Sequence, residues 1–164
     1  MIRLVEQRLE TLTADAVVRA ADALLFPLGA ASAALDEAAG TRFAEQRRVN
    51  APLEVGSAVV TGGGDLTAEF VLHLVLQDEE RSATRDILRR ALLHAWHRAE
   101  GWQLSRVAAA AGGLALPIEE AAALLVETFR DRPGNTGYPA ELLIVVDDAE
   151  QRGTLGALLS LPTA

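Results

Sequence analysis

The sequence predicts one α/β domain built on a largely parallel sheet with helices on both faces. Short apolar or β-rich runs alternate with segments of helical periodicity, which is the pattern of parallel strands connected by helices. The 164 residues have the length of one ordinary domain, and no long linker or internal repeat divides them. We therefore expect residues 1–164 to fold as a single domain.

Two strands and two helices are expected in the first third of the chain. Residues 2–6 alternate weakly between apolar and polar side chains, and residues 14–20 have the apolar composition of a buried parallel strand. A helix is expected over residues 29–39, because this alanine-rich segment is followed by Gly40, where glycine commonly ends a helix. A second, shorter helix is expected over residues 41–49.

A pair of strands and the longest helix are expected next. Residues 57–61 and 69–75 are rich in β-formers and flank the glycine-rich turn 62–65. Residues 82–100 repeat apolar side chains at helical spacing, and the hydroxyl of Ser82 is expected to cap this helix.

The last third of the chain repeats the alternation of strand and helix. A strand is expected over 104–110, followed by a helix that Pro117 opens, because a missing N–H costs nothing at the first helical position. After a surface loop over 130–138, the β-rich segment 142–146 and the segment 149–159 predict a last strand and a last helix.

Composition excludes several kinds of chemistry. The formal net charge of −8 repels phosphate polymers and anionic lipid, so neither nucleic acid nor membrane is expected as a partner. All fifteen basic residues are arginine and cysteine is absent, which excludes lysine and cysteine nucleophiles, disulfides and thiolate metal sites. The absence of a signal-peptide pattern and of any long apolar run leads us to expect a cytoplasmic protein. No cofactor is expected.

Five segments resemble, in the same order, the motifs of the macro domain family. The first is 14–22 (ADAVVRAAD), which is similar to the family's VDAIVNAAN. The others are AAG at 38–40, VGSAVVTGGGDL with EFVLHLV at 55–75, LPIEEAA at 116–122 and LLIVVD at 142–147. Together these segments cover nearly the whole chain.

The resemblance implies a three-layer α/β/α domain with a mixed sheet and a cleft for ADP-ribose. In this family an aspartate near the end of the first strand holds the adenine amino group. Two loops donate backbone N–H groups to the diphosphate. An asparagine and, in hydrolases, an aspartate of the first loop serve the distal ribose.

The chain departs from the family at most of these positions. The adenine aspartate falls on Arg8, beside Leu9, and a guanidinium has no acceptor for an amino group. The first asparagine of the NAAN motif is Arg19, and the ribose asparagine is Asp22. Ser32 stands at the position of the catalytic aspartate.

The two ligand loops that the resemblance implies keep only some of the family's glycines. A glycine pair lets the backbone come close to a phosphate at a helix N-terminus. It is also an ordinary turn between a strand and a helix. Both interpretations of the second loop therefore stay open. The loop positions are Gly29, Ala30 and Ala31 in the first loop and Ala111, Gly112, Gly113 and Leu114 in the second.

The charged candidates each have two interpretations. Arg8 and Arg19 could form a new anion-binding pair, or Arg8 could form a salt bridge with Asp22 or Glu10. Asp22 and Ser32 are the weak candidates for catalysis, without a histidine or second acid nearby. Asp147 and Asp148 end the last strand. This acidic pair could hold a nucleobase or ribose, or it could cap the last helix.

The histidines and tryptophans have structural interpretations as the default. His94 and His97 are three residues apart on a predicted helix, but no further ligands are recognisable, so a solvated face is favoured over a metal site. His73 is expected to be partly buried and hydrogen-bonded on its strand. Trp96 and Trp102 are expected in the core or at helix contacts.

The residues and the resemblance together predict a macro-domain-like module that binds ADP-ribose or a related small nucleotide without catalysis. The alternative is a scaffold with an occluded cleft, used for contact with another protein or with a second copy of the chain. A weaker alternative is an ADP-ribosyl hydrolase. A cleft filled by residues 27–31 would favour the scaffold.

Overall fold

The computed structural model describes residues 1–132, 134 and 136–162, and its centre is a six-stranded sheet in the order β1-β6-β5-β2-β4-β3. Neighbouring strands are parallel except β3, which is antiparallel to β4 at one edge. The mixed, largely parallel sheet is therefore confirmed. The strands are β1 Ile2–Val5, β2 Ala16–Asp22, β3 Ala58–Gly62, β4 Phe70–Gln77, β5 Arg106–Ala110 and β6 Glu141–Val145.

In the described residues, four helices and two short 3-10 helices lie between or after the strands. The backbone of Gly40 (φ 83°, ψ −177°) interrupts the first helix, so the break expected there is present. The 3-10 helices Leu9–Thr11 and Ala111–Gly113 were not predicted. The four helices are α1 Gly29–Gln46, α2 Arg85–Gly101, α3 Ile118–Arg130 and α4 Ala149–Leu158.

The sheet buries its two faces in separate hydrophobic cores. Successive side chains of a strand point to opposite faces, so Val18 of β2 packs on the α2–α3 side while Val17 packs on the α1 side. On the α2–α3 side, Trp96 is buried and donates from Nε1 to Oγ1 of Thr128 at 2.9 Å. Its ring meets Phe129 edge-on. The helices therefore form layers above and below the sheet.

Several expected boundaries differ from the structure. Thr84, not Ser82, caps α2, because its Oγ1 accepts the N–H of Ile87 at 3.2 Å and the helix begins only at Arg85. The second part of α1 ends at Gln46, three residues earlier than expected.

Two further expectations meet the structure differently. Trp102 directly follows α2 with 56% of its surface exposed, and its ring contacts Phe70 of β4 at 5.3 Å between centroids. Of the two positions expected for it, the core is therefore excluded and a contact at the end of a helix is observed. Within the expected loop 130–138, Arg130 is the last residue of α3, and residues 133 and 135 lie outside the described residues. Among the described residues, no helix is long and apolar enough to cross a membrane.

Candidate functional site

The carboxyl ends of four parallel strands bring the candidate residues to one edge of the sheet. β1, β6, β5 and β2 are consecutive neighbours, so the segments that follow them meet there. The carboxyl edge of a parallel sheet is where ligands bind in open α/β folds. Two adjoining spaces lie at this edge near β1, β6 and β5, and we describe them as the outer cavity and the inner cleft. A third space, a groove, lies at the same edge beyond β2 and β4.

The outer cavity has a volume of about 310 Å³ and opens beside the segment that follows β1. This volume is at the lower end of the range for small-molecule pockets. Apolar side chains and carboxylates share its wall. The lining residues are Glu6, Gln7, Arg8, Leu9, Glu10, Ala31, Ala34, Ala110, Val145, Val146 and Asp147.

Ion pairs occupy most of the charged groups of the outer cavity. Arg8, whose side chain is 78% exposed, donates from Nε to Oε1 of Glu10 at 2.8 Å, which is one of the two salt bridges considered for it. Glu6 pairs with Arg152 at 3.2 Å. The carboxylate of Asp147 is exposed at the rim. A ligand role for Arg8 or Asp147 stays a prediction.

The two neighbouring acids after β6 have different positions. Asp148 caps α4, because its Oδ1 accepts the N–H of Gln151 at 2.8 Å. The backbone N–H of Asp147 donates to Oε1 of the same glutamine at 2.9 Å. The cap therefore uses the second carboxylate and leaves the first beside the outer cavity.

The inner cleft, between the start of α1 and the second loop, is nearly filled. Its volume is about 10 Å³, room for at most about one water molecule. A Cβ built on Gly113 would lie 2.9 Å from Cβ of Ala31, so the two loops are in direct contact. The lining residues are Leu9, Val18, Arg19, Ala31, Ser32, Leu35, Ala110, Gly113 and Leu114.

The remaining loop positions show which glycines the fold itself needs. Gly29 begins α1 with φ +86°, a conformation that favours glycine. Gly112 is exposed, and a Cβ there would come no closer than 3.8 Å to Cδ1 of Ile118. Ala30 is exposed, whereas Ala111 is buried in the second loop. The fold therefore requires glycine at 29 and 113 but not at 112.

Asp22 and Ser32, the two candidates for catalysis, line different cavities. Asp22 lines a groove beyond the end of β4, and its Oδ1 accepts the N–H groups of Leu24 at 2.9 Å and Phe26 at 3.0 Å. Ser32 is 3% exposed and faces the inner cleft. The carboxylate holds its own loop, and it does not share a cavity with the hydroxyl.

Arg19 belongs to a buried ion-pair network, so the anion-binding pair suggested for Arg8 and Arg19 is wrong. Its side chain is fully buried and donates to both carboxylate oxygens of Asp36, at 2.6 and 2.8 Å. Arg47 adds a second cation at 3.4 Å from Asp36 and donates to the carbonyl of Leu25 at 3.2 Å. A guanidinium held in this way is not available to a ligand.

His73 completes this network as a neutral group. Its Nδ1 lies 3.1 Å from a guanidinium nitrogen of Arg19, which can only donate, so Nδ1 is the acceptor and the proton is on Nε2. Nε2 donates to Oγ1 of Thr61 at 2.7 Å. Burial, followed by the charges of Arg19 and Arg47, holds the pKa of His73 well below its usual 6.5. The expected hydrogen-bonded histidine is present, and it is fully buried where partial burial was expected.

Comparison with known proteins identifies the family. The macro domain family matches residues 18–125 of the chain, which include most of β2, all of α1, the second loop and most of α3. The chain belongs to the macro domain family. An uncharacterised protein of Aeropyrum pernix is 42% identical over 66 residues, which are 40% of this chain and 35% of that protein. An uncharacterised protein of Mycobacterium tuberculosis is 30% identical over 148 residues, 88% of this chain and 41% of that protein.

The chain thus spans less than half the length of these curated relatives. Solved macro domains share the architecture over almost the whole chain. The macro domain of ganglioside induced differentiation associated protein 2 superposes with a TM-score of 0.80 at 22% identity, covering 99% of this chain and 85% of that one. The Trypanosoma brucei macrodomain in complex with ADP-ribose superposes with a TM-score of 0.78 at 19% identity, covering 95% and 68%.

Proposed function

We propose that this macro domain is a non-catalytic module that binds a nucleotide-type ligand by its nucleoside end, in the outer cavity. One observation carries the proposal: the outer cavity has about 310 Å³ of space, while the inner cleft has about 10 Å³. Macro domains are known with ADP-ribose bound, as in the Trypanosoma brucei protein. A ligand that needs only the outer part of such a cleft fits the space present here.

The wall of the outer cavity suits a nucleobase. Leu9, Ala34 and Val145 offer apolar surface against which a planar base can pack. Asp147 offers carboxylate oxygens, which accept hydrogen bonds from an exocyclic amine. In the family, an aspartate at the position of Arg8 holds the adenine amino group. We therefore assign the recognition of that amino group to Asp147 instead.

The inner cleft and the position of Asp22 argue against hydrolysis at a distal ribose. A diphosphate has no room in a cleft of about 10 Å³, where the backbone of Gly113 already lies against the side chain of Ala31. General base catalysis also needs a carboxylate within hydrogen-bonding reach of the attacked group. Asp22 is turned to its own loop and to another cavity.

Calorimetry with adenosine, AMP, ADP and ADP-ribose tests this proposal. We expect adenosine and AMP to bind, with no added affinity from the second phosphate or the distal ribose. Ala34→Trp should abolish the signal by filling the cavity. Ala33→Trp is the matched control, because Ala33 lies on the same helix but is exposed and does not line the cavity.

Two results would count against the proposal. A loss of binding in Ala33→Trp as large as in Ala34→Trp would remove the outer cavity as the site. Much tighter binding of ADP-ribose than of AMP would show that the inner cleft opens for the ligand.

The scaffold with an occluded cleft is the second candidate, and the contact between Ala31 and Gly113 favours it. It predicts no heat with any of the four ligands at millimolar concentration. Light scattering on the purified chain would then show whether the partner is a second copy of the chain.

A further inference from the structure

A second surface feature, the basal groove, lies apart from the outer cavity, beyond the carboxyl ends of β2 and β4. Its volume is about 560 Å³, larger than that of the outer cavity. The loop after β2, the segment after β4 and Pro52 form its walls. The lining residues are Asp22, Ala23, Leu24, Pro52, Gln77, Asp78, Glu79 and Glu80.

The floor of the basal groove is apolar and preformed. Leu24, a large apolar side chain, is 41% exposed there, beside Ala23 and Pro52. Backbone hydrogen bonds hold this surface in place, from Ala23 to the carbonyl of Gln77 at 2.9 Å and from Leu53 to the carbonyl of Ala23 at 2.8 Å. Phe26, 53% exposed on the same loop, does not line the groove; its ring packs against the guanidinium of Arg47, 5.3 Å from the ring centroid.

Carboxylates surround this apolar floor on the side of β4. Asp78, Glu79 and Glu80 follow one another. Asp22, the strand neighbour of Gln77, also lines the groove, and its Oδ1 accepts the N–H groups of Leu24 and Phe26. Among the described lining residues none is basic. The nearby Arg81 forms a long ion pair with Asp78, 3.8 Å between the guanidinium nitrogen and the carboxylate oxygen. A concave surface lined by charges of one sign concentrates its field and attracts the opposite charge.

We propose that the basal groove docks a basic peptide segment of another protein, with one aliphatic side chain on Leu24 and flanking arginine or lysine side chains on the carboxylates. Charge complementarity selects this partner. Nucleic acid carries the wrong sign. The described residues contain no group of three side chains placed to hold a metal ion, and a small cation leaves the apolar floor without a contact.

Fluorescence anisotropy with a labelled nine-residue peptide, four arginines around a central leucine, tests this inference. We expect saturable binding that weakens when the salt concentration is raised from 0.05 to about 0.5 M, because salt screens exposed charges. Glu79→Gln with Glu80→Gln should weaken binding by about 2- to 30-fold, the range for two exposed ion pairs. Both side chains are exposed, so the fold should not change.

Matched controls separate docking from net charge. Glu37→Gln with Glu45→Gln removes the same charge from exposed positions on α1 and should leave affinity within about 2-fold. A peptide with serine in place of leucine should bind more weakly, as should Leu24→Ser with the original peptide.

Three outcomes would overturn the inference. These are an equal loss in the two double variants, equal binding of the leucine and serine peptides, and displacement of the peptide by spermidine at equal concentration. Ala34→Trp, which fills the outer cavity, should not alter peptide binding, so the inference stands or falls independently of nucleotide binding.

Discussion

Replacing Asp36 with alanine leaves a fully buried guanidinium without its carboxylate. Arg19 donates to both oxygens of Asp36, and no other acid pairs with it among the described residues. Its remaining contacts are the neutral His73 and the ring of Phe43, 5.7 Å away. The second cation, Arg47, would then face Arg19 with no anion between them.

The expected cost follows from the burial of this pair. Removing one partner of a buried ion pair costs about 3–5 kcal/mol, because the other charge stays buried and unpaired. For a domain of this length each kcal/mol lowers Tm by about 2–4 °C, so Asp36→Ala should lower Tm by about 6–20 °C. Domains have total stabilities of about 5–15 kcal/mol, so this loss removes between about a fifth and all of the free energy of unfolding.

Urea denaturation followed by circular dichroism measures this loss directly. Glu127→Ala is the matched control, because Glu127 pairs with Arg85 and Arg89 at 3.6 Å on the surface and should cost about 0–1 kcal/mol. Arg19→Met combined with Asp36→Leu should recover part of the loss, because apolar side chains can replace a buried ion pair. A loss below about 1 kcal/mol in Asp36→Ala would refute this account of the network.

Three further predictions concern pH, the loop contact and catalysis. The pKa of His73 in the folded protein lies well below 6.5, so below pH 6.5 the unfolded chain binds more protons than the folded one. The free energy of unfolding should therefore fall by up to about 1.4 kcal/mol for each pH unit below 6.5. Urea titrations between pH 5 and 7.5 should show this slope, and His73→Gln, which can keep both hydrogen bonds, should remove it. Gly113→Ala should cost about 1–3 kcal/mol through its clash with Ala31, whereas Gly112→Ala should change stability by less than about 0.5 kcal/mol; equal effects would contradict the contact between the loops. We expect no turnover of an ADP-ribosylated peptide, and turnover that Asp22→Ala abolishes in a folded variant would restore Asp22 to a catalytic role.

The layers of the fold were predictable because each element carries a local pattern. β2 is a run of apolar residues, and α3 has a proline before it and an apolar stripe along it, so composition and spacing were sufficient. The cap of α2 was missed because Ser82 and Thr84 both suit a helix start. Only the hydrogen bond from the N–H of Ile87 to Thr84 distinguishes them.

The charge network was not predicted, although the sequence contains a signal for it. An arginine within the buried run of β2 requires a carboxylate nearby. On α1 the buried side chains Ser32, Leu35 and Phe43 mark the face toward the sheet, and Asp36, one helical turn after Ser32, borders that face. The partner of Arg19 could have been found by this reasoning. The volume of the inner cleft could not, because it depends on how closely two loops distant in sequence approach each other.

The same network connects the substituted motif to the closed cleft. Arg19 joins β2 to α1 through Asp36, and Ala31, in the first turn of α1, touches the second loop at Gly113. Arg19 itself lines the inner cleft with Ser32, so its side chain takes up space where the family's motif has an asparagine. Replacing Arg19 with asparagine alone would therefore remove the ion pair to Asp36 without moving Ala31 from Gly113. Opening the inner cleft requires changes at both Ala31 and the second loop, whereas the outer cavity is already open.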